Sequence, residues 1–210
     1  WSNEKLLTKI REFVANGGGF IGIGDPSGLN YEGKYFQLSD VLGVQKEIGF
    51  TYTKTKFFPP KNTKHWILED VNLDNVKFGE QGKGVYPVGA DVICASESNF
   101  NPTTCLLTGG NVYLSANNYG KGRAVYISSL TDSYDAFRLV YKTILWVASK
   151  EDLYKKCLSL DPRTDLFYYK EKDCYAIINN CCSEIITSYF DKGGNEFNIT
   201  LKPNEIVWIK

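Results

Sequence analysis

The sequence predicts an α/β domain that is followed by a small antiparallel β domain. Near the start, apolar residues with helical spacing lead through glycines into a short apolar run without alternation, as expected of a strand covered on both faces in a parallel sheet. Past Glu151 the helical spacing stops, and short strands separated by turn residues follow. We therefore expect an α/β domain over residues 1–150 and a β domain over residues 151–210.

The first elements are a helix, a buried strand and a loop. Ser2 or Asn3 can cap the helix and Gly17 can take the left-handed conformation after it; its apolar positions are Leu6, Leu7, Ile10, Phe13 and Val14. The strand covers residues 19–24, and the loop 25–33 leaves its carboxyl end. Open α/β sheets place ligand clefts at that end, which makes the loop a candidate site by position.

The next elements complete the first domain. We expect a short helix over residues 36–42 and little regular structure from there to about Gly84. Strands over 90–96, 104–107, 112–116 and 122–127 then complete one sheet, with a hairpin turn at 118–121. Asp132 or Ser133 caps a helix that ends near Lys150.

The second domain reads as about five short strands with turns between them. The strands are predicted over 165–169, 176–179, 185–190, 197–201 and 206–209. A domain this small buries little surface, so we expect it to be weakly stable alone and to dock on a neighbour.

Composition excludes several classes of function. Lys+Arg and Asp+Glu balance at 24 each, so no net charge attracts nucleic acid or an anionic membrane, and no apolar run approaches the roughly 20 residues of a membrane span. Six cysteines lack metal-ligand spacing and His65 is the single histidine, which argues against a metal site. We expect reduced thiols in a cytoplasmic protein. The start at Trp1 and the lack of Met indicate a fragment.

Known catalytic motifs fit poorly. The glycines precede or lie within the first strand, whereas a dinucleotide loop follows its strand, so no nucleotide cofactor is expected. Gly120 to Arg123 reads as a hairpin turn with solvated charges. Ser27 lacks the glycine spacing of a nucleophile elbow, although a degenerate hydrolase with Ser27 or Asp25 active stays open. Several aromatic residues fit a sugar platform or, preferably, core and interface packing: Tyr31, Tyr35, Trp66, Tyr86 and Tyr126.

Four stretches together resemble a known family. They are Phe13 to Ser27, Gly33 to Val44, Asn118 to Trp146 and Leu201 to Ile209. The first three resemble the middle domain, and the last resembles the C-terminal β domain, of the bacterial galacto-N-biose/lacto-N-biose phosphorylases, also called 1,3-β-galactosyl-N-acetylhexosamine phosphorylases. The resemblance covers nearly the whole chain and is weak between about 52 and 115.

The resemblance implies an inverting disaccharide phosphorylase, a hexosyltransferase, that uses inorganic phosphate as co-substrate and no cofactor. Its catalytic residues belong to an N-terminal barrel, so none is expected in this chain, which should be inactive alone. The implied fold is a glutamine-amidotransferase-like (flavodoxin-like) three-layer domain, here truncated at its N-terminus. Asp25, Ser27, Asn30 and Tyr31 are expected to serve in binding or at the interface with the missing barrel, in a homodimer.

Two alternatives remain open. The stretch from Gly17 to Val44 also resembles the trimerisation domain of certain barrel-type β-galactosidases, in which an amidotransferase-like domain walls a neighbouring subunit's active site. The second alternative is that the chain is a stand-alone module, which binds a carbohydrate or a partner.

Overall fold

The computed structural model describes residues 4–26, 35–46, 63–79, 84–101, 103 and 106–210. The chain divides into two compact units, residues 1–149 and residues 150–210. Each unit is described by itself below.

Unit 1 begins with helix α1, Glu4–Ala15, which buries Leu7 and Val14. Gly17 ends the helix with a positive φ of 107°, a conformation that glycine adopts at little cost. Strand β1, Gly19–Ile23, follows directly. The predicted helix, its glycine end and the strand after it are thus found in the structure, whereas the candidate caps Ser2 and Asn3 lie outside the described residues.

In the described part of unit 1, the main sheet has four strands in the order β1-β8-β7-β4. Besides β1 it contains β4 (Asp91–Ala95), β7 (Val112–Tyr119) and β8 (Gly122–Ile127). Strand β1 is parallel to β8, and the other two pairs are antiparallel. The predicted strand is parallel to β8 and is packed on both faces, because Phe20 joins the cluster of α1 and Ile21 joins the cluster on the other face. Among the described strands, however, β1 pairs on one side only, and Ile23 at its end is exposed. An apolar run does not distinguish an edge strand from a central one.

Other strands of unit 1 form separate pairs. Strand β2 (Val44–Lys46) pairs with β3 (Val85–Pro87), and β5 (Ser98–Asn101) pairs with β6 (Leu106–Gly109). The expectation that all strands after residue 84 complete one sheet was therefore wrong, because strand patterns do not encode which strands pair. In the long segment between β2 and β3, the described part contains 3₁₀ turns at Trp66–Leu68 and Leu73–Asn75.

The described residues of unit 1 form two more α-helices. Helix α2 is a single turn, Ser39–Leu42, and lies within the predicted helical range. Helix α3 covers Tyr134–Val147, and the Ser133 hydroxyl caps it by accepting the Ala136 N–H at 3.1 Å. Ser133, and not Asp132, is thus the capping residue.

The core of unit 1 lies on both faces of the main sheet. Alternate residues of β8 point to opposite faces, so Ala124 and Tyr126 join one cluster while Val125 and Ile127 join the other. Helices α1 and α2 contribute to the first cluster, which includes Leu7, Val14, Val41 and Leu42. Helix α3 contributes to the second, which includes Ile67, Leu114, Leu139 and Val147.

Unit 2 consists of two three-stranded antiparallel sheets. One has the order β10-β11-β14, with strands Thr164–Tyr169, Cys174–Asn179 and Ile206–Ile209. The other has the order β13-β12-β9, with strands Glu196–Leu201, Ile185–Phe190 and Leu158–Ser159. The five predicted strands are present, and β9, with two residues, is too short to show a sequence pattern. Ile177, Tyr189 and Leu201 form the core.

Two further features of the described residues concern the cysteine thiols and the length and polarity of the helices. The five cysteines in the described ranges, Cys94, Cys157, Cys174, Cys181 and Cys182, are free, and Cys105 lies outside those ranges. Within the same ranges, the helices are too short or too polar to cross a membrane.

Candidate functional site

A polar cluster lies at the carboxyl end of β1, where the loop after the strand begins. The Asp25 carboxylate accepts a hydrogen bond from the Lys46 Nζ at 2.6 Å and another from the Tyr35 hydroxyl at 2.9 Å. The Lys46 Nζ also lies 4.9 Å from the centre of the Tyr35 ring. Three elements of the fold thus converge here, because Asp25 follows β1, Tyr35 precedes α2 and Lys46 ends β2.

Tyr126 lies buried beneath this cluster. Its ring, on β8, packs against Phe36 with ring centres 5.6 Å apart, and Phe36 in turn contacts Tyr35. The Tyr126 side chain is fully buried, and its hydroxyl has no hydrogen-bond partner in the described part of the chain. Burial raises the pKa of Tyr126, and the negative charge of Asp25 raises it further. The ring contacts that lead from Tyr126 through Phe36 to Tyr35 place Tyr126 beneath the cluster.

The chemistry of the cluster suits binding better than proton transfer. Burial raises the pKa of Tyr35, and its hydrogen bond to Asp25 and the charge of Asp25 add to the shift, so the phenol stays protonated and donates. Lys46 is an ammonium donor with a side chain only 16% exposed. Asp25 keeps a partly exposed carboxylate whose remaining lone pairs can accept hydroxyl protons from a ligand.

The sequence-based site residues are only partly visible. Asp25 lies in the cluster, whereas Ser27, Asn30 and Tyr31 lie outside the described residues. Sequence reasoning missed Lys46, which belongs to no motif and lies 21 residues from Asp25 in the chain. The sequence pattern assigns Tyr35 and Tyr126 to aromatic packing or a sugar platform. It does not predict that their hydroxyl groups lie near Asp25.

His65 belongs to the other face of the main sheet. Its Nδ1 accepts the Ile67 N–H at 3.2 Å, and its ring packs on Trp146 of α3. Burial lowers the pKa of His65, and the charges of Asp91, Arg123 and Glu69 act on it with mixed sign. Asp25 lies beside the α1 and α2 cluster instead, so the sheet separates the two side chains. The structure does not bring them together as a hydrolase would require.

Other candidate groups have structural roles. Gly120 and Lys121 form the predicted hairpin turn between β7 and β8, but Arg123 is not a solvated charge: its Nη1 donates to the Trp146 carbonyl at 2.9 Å, and its guanidinium lies over the Trp146 ring. Burial raises the pKa of Cys94 to about 11, so this thiol stays protonated. Among the described residues, His, Cys, Asp and Glu side chains do not gather in threes as a metal site needs.

Comparisons with known proteins place both units in one family. The family model described as the lacto-N-biose phosphorylase central domain matches residues 1–152, and the model for the C-terminal domain of the same family matches residues 159–209. Two 1,3-β-galactosyl-N-acetylhexosamine phosphorylases resemble the chain over 99% of its length. One, from Lachnoclostridium phytofermentans, is 36% identical, and the other, from Bifidobacterium longum, is 32% identical. The chain spans about 27–30% of the length of these relatives.

Solved structures share the fold at lower identity. Gan42B, a GH42 β-galactosidase from G. stearothermophilus, matches 99% of the chain and 30% of its own length, with a TM-score of 0.54 and 19% identity. At this identity the likeness shows the fold alone. The family models cover both units and the identity to the phosphorylases is higher, so the chain belongs to the lacto-N-biose phosphorylase family, of which it carries the central and C-terminal domains.

Proposed function

We propose that the full-length protein is a bacterial inverting phosphorylase that cleaves a β-1,3-galactosyl-N-acetylhexosamine with inorganic phosphate. A phosphate oxygen bonds to the galactose anomeric carbon as the glycosidic bond breaks, the leaving oxygen takes a proton from a carboxylic acid, and α-galactose 1-phosphate results. The observation that carries the proposal is the match of both family models together with 36% identity to a phosphorylase of that name.

In this proposal the present residues do not carry out the chemical step. The reacting groups are supplied by the part of the polypeptide that lies outside these 210 residues, as expected for an N-terminal barrel. One observation supports this division. The described cluster at Asp25 contains an ammonium, a protonated phenol and a partly exposed carboxylate, and these groups suit hydrogen bonding to sugar hydroxyls or to a neighbouring domain.

We also propose the finer structural description that the sequence suggested. Unit 1 has a strand parallel to β1 and helices on both faces of its sheet, which supports a glutamine-amidotransferase-like, three-layer fold. A homodimer and a cytoplasmic location complete the proposal; light scattering and cell fractionation of the full-length protein test them.

A product assay tests the activity. The full-length protein is incubated with galacto-N-biose or lacto-N-biose, with and without inorganic phosphate. We expect α-galactose 1-phosphate only when phosphate is present, and no product from the 210-residue chain alone. Release of free galactose without phosphate would instead identify a β-galactosidase and refute the proposal. Turnover by the isolated chain would refute its non-catalytic role.

A variant of Asp25 tests the role of the cluster. Asp25→Asn removes the charge that holds Lys46 and Tyr35 and weakens the acceptor that we propose for a sugar hydroxyl. We expect KM for the disaccharide to rise by roughly 5- to 10-fold with kcat changed little, because one hydrogen bond lost to the ligand costs about 1 kcal/mol. The matched control is Asp173→Asn in unit 2. Asp173 likewise accepts hydrogen bonds from a lysine and a tyrosine, Lys192 and Tyr168. The Asp173 variant therefore shows the effect of losing such a carboxylate outside the candidate site. A fall in kcat with KM unchanged would assign Asp25 to the chemical step.

A carbohydrate-binding role for unit 2 is a second candidate. On the β10-β11-β14 sheet, Phe167 and Trp208 flank Ala176 in register, and the exposed Tyr169 ring lies 5.3 Å from the Trp208 ring. Exposed aromatic rings around a small residue offer apolar surface for the C–H face of a sugar. Calorimetric titration with galactose and N-acetylhexosamines tests this role. Binding that Trp208→Ala abolishes supports it, and no heat of binding contradicts it.

A further inference from the structure

A groove in unit 1 follows one short segment of the chain, which packs against the core cluster of α3. We call it the 63–69 groove. Its volume is about 350 Å³, at the low end of the range of about 300–1,000 Å³ that is usual for small-molecule sites. The described residues that line it are Thr63, Lys64, His65, Trp66, Leu68 and Glu69. A groove of this size suits a small molecule.

Side chains of α3 hold the segment that lines the groove. Lys142 is fully buried, and its Nζ donates to the Glu69 carbonyl and lies 4.5 Å from the centre of the Trp66 ring. One turn further along the segment, the buried Asp135 carboxylate accepts the Asn72 N–H at 2.9 Å. A buried charge is costly unless it is bonded in this way, and here both charges bind backbone groups of the segment. Helix α3 therefore fixes the conformation of one wall of the groove.

The side chains along the groove combine apolar surface with hydrogen-bonding groups. Trp66 and Leu68 are half-buried, whereas Lys64 and Glu69 are exposed. Burial lowers the pKa of His65, so its ring is neutral at neutral pH. The His65 Nδ1 accepts a backbone N–H of the 3₁₀ turn, which leaves the proton of the neutral ring on Nε2, where it can be donated. The groove thus offers a ring surface, an acceptor and two donors.

This combination suits a neutral carbohydrate. The charges of Lys64 and Glu69 are opposite and the other lining side chains are neutral, so the groove favours neither an anion nor a cation. Sugars present an apolar C–H face to aromatic rings, and their hydroxyl groups donate strongly to a carboxylate. We propose that the 63–69 groove binds a neutral mono- or disaccharide, with Trp66 against the C–H face of one sugar ring and Glu69 accepting hydrogen bonds from its hydroxyl groups.

The proposed sugar site goes beyond the reaction proposed for the full-length protein. It lies on the face of the main sheet opposite to Asp25, and it requires no chemical step. Phosphorylase activity and occupancy of the groove are therefore measured separately on the same samples. An active phosphorylase whose groove binds no sugar would reject this inference alone.

Photolabelling of the full-length protein tests the site. The probe is N-acetylglucosamine with a diazirine in its acyl group, and mass spectrometry of the digested protein maps the labelled residues. We expect label on the peptide that contains residues 63–69, and we expect an excess of unlabelled galactose or N-acetylglucosamine to reduce it. Absence of label from this peptide would overturn the proposal, as would label that neither unlabelled sugar reduces.

A carboxylate variant tests the role assigned to Glu69. Glu69→Gln is expected to raise the probe concentration that half-saturates labelling of the 63–69 peptide by roughly 10-fold, because hydrogen bonds to a charged acceptor are the stronger ones. The matched control is Asp74→Asn, which removes an exposed carboxylate on the next 3₁₀ turn, outside the groove, and should leave labelling unchanged. Equal labelling of both variants and the wild type would refute the proposal that Glu69 binds the sugar.

Discussion

At the scale of single residues, surroundings decide what a side chain can do. Asp25 and Asp173 each accept hydrogen bonds from a lysine and a tyrosine. The lysine side chain beside Asp25 is 16% exposed, whereas the one beside Asp173 is 52% exposed, and water screens the more exposed pair. Of the two clusters, moreover, only that of Asp25 lies near a buried hydroxyl without a hydrogen-bond partner in the described part of the chain, that of Tyr126. The same three residue types therefore make a candidate site in unit 1 and a solvated surface pair in unit 2.

Tyr126 provides a test at this scale. A buried hydroxyl without a hydrogen bond costs about 1–3 kcal/mol, so Tyr126→Phe is expected to raise the free energy of unfolding by about 1 kcal/mol. Tyr175→Phe is the matched control of opposite sign, because the Tyr175 hydroxyl accepts the Lys192 N–H at 3.0 Å and that bond would be lost. Calorimetry of the full-length variants measures both. Destabilisation by Tyr126→Phe would show that this hydroxyl has a partner.

At the scale of elements, close backbone approach explains why glycines begin β8 and β1. Gly122 begins β8 where α1 ends, and a Cβ at this position would lie 2.2 Å from the carbonyl oxygens of Val14 and Gly18. Gly19 begins β1 against the end of α3 in the same way. The glycines therefore let helices pack against strand ends, and the phosphate-binding interpretation is unnecessary.

Gly122→Ala tests this packing role. We expect a loss of about 1–3 kcal/mol in the free energy of unfolding, because two backbone carbonyls cannot move aside as a flexible side chain could. Gly89→Ala is the matched control, since nothing lies within 4 Å of a Cβ there. Urea denaturation compares the two variants. Equal stability of both would refute the steric explanation.

At the scale of the whole molecule, each unit has its own core, but the cores differ greatly in size. Unit 1 has buried clusters on both faces of its main sheet, whereas the core of unit 2 rests on Ile177, Tyr189 and Leu201. A domain of about 60 residues buries only about 60% of the surface that its unfolded chain exposes, so its stability is marginal. The family relatives carry both units in much longer chains.

Excision of unit 2 tests this marginal stability. Residues 150–210, expressed alone, are expected to fold with only a few kcal/mol of stability and to melt below the full-length protein. Leu201→Ala should leave the excised unit unfolded, because truncation of a fully buried leucine costs about 2–5 kcal/mol. Circular dichroism during heating measures both samples. A melting temperature equal to that of the full-length protein would contradict the expectation.

The sequence by itself determined the elements and the family. Helical spacing located α1 and α3, and turn residues separated the strands of unit 2. The sequence of Phe13 to Ser27 indicated membership of the phosphorylase family. These features depend on residues that are near one another in the chain, and local patterns report them well. Asp25 could be selected because the residue after a strand end is a local feature.

Only the tertiary structure decided which elements meet. The fold brings Lys46 to Asp25 across 21 residues. Among the described strands β1 pairs on one side only, and the main sheet separates His65 from Asp25. Strand pairing and sheet order depend on the summed packing of residues far apart in sequence, and no local pattern encodes that sum. The exposure of Phe137, Tyr141 and Ile144 on α3 also depends on tertiary packing. The pattern of a helix shows which of its residues are apolar but not which of them the rest of the molecule covers.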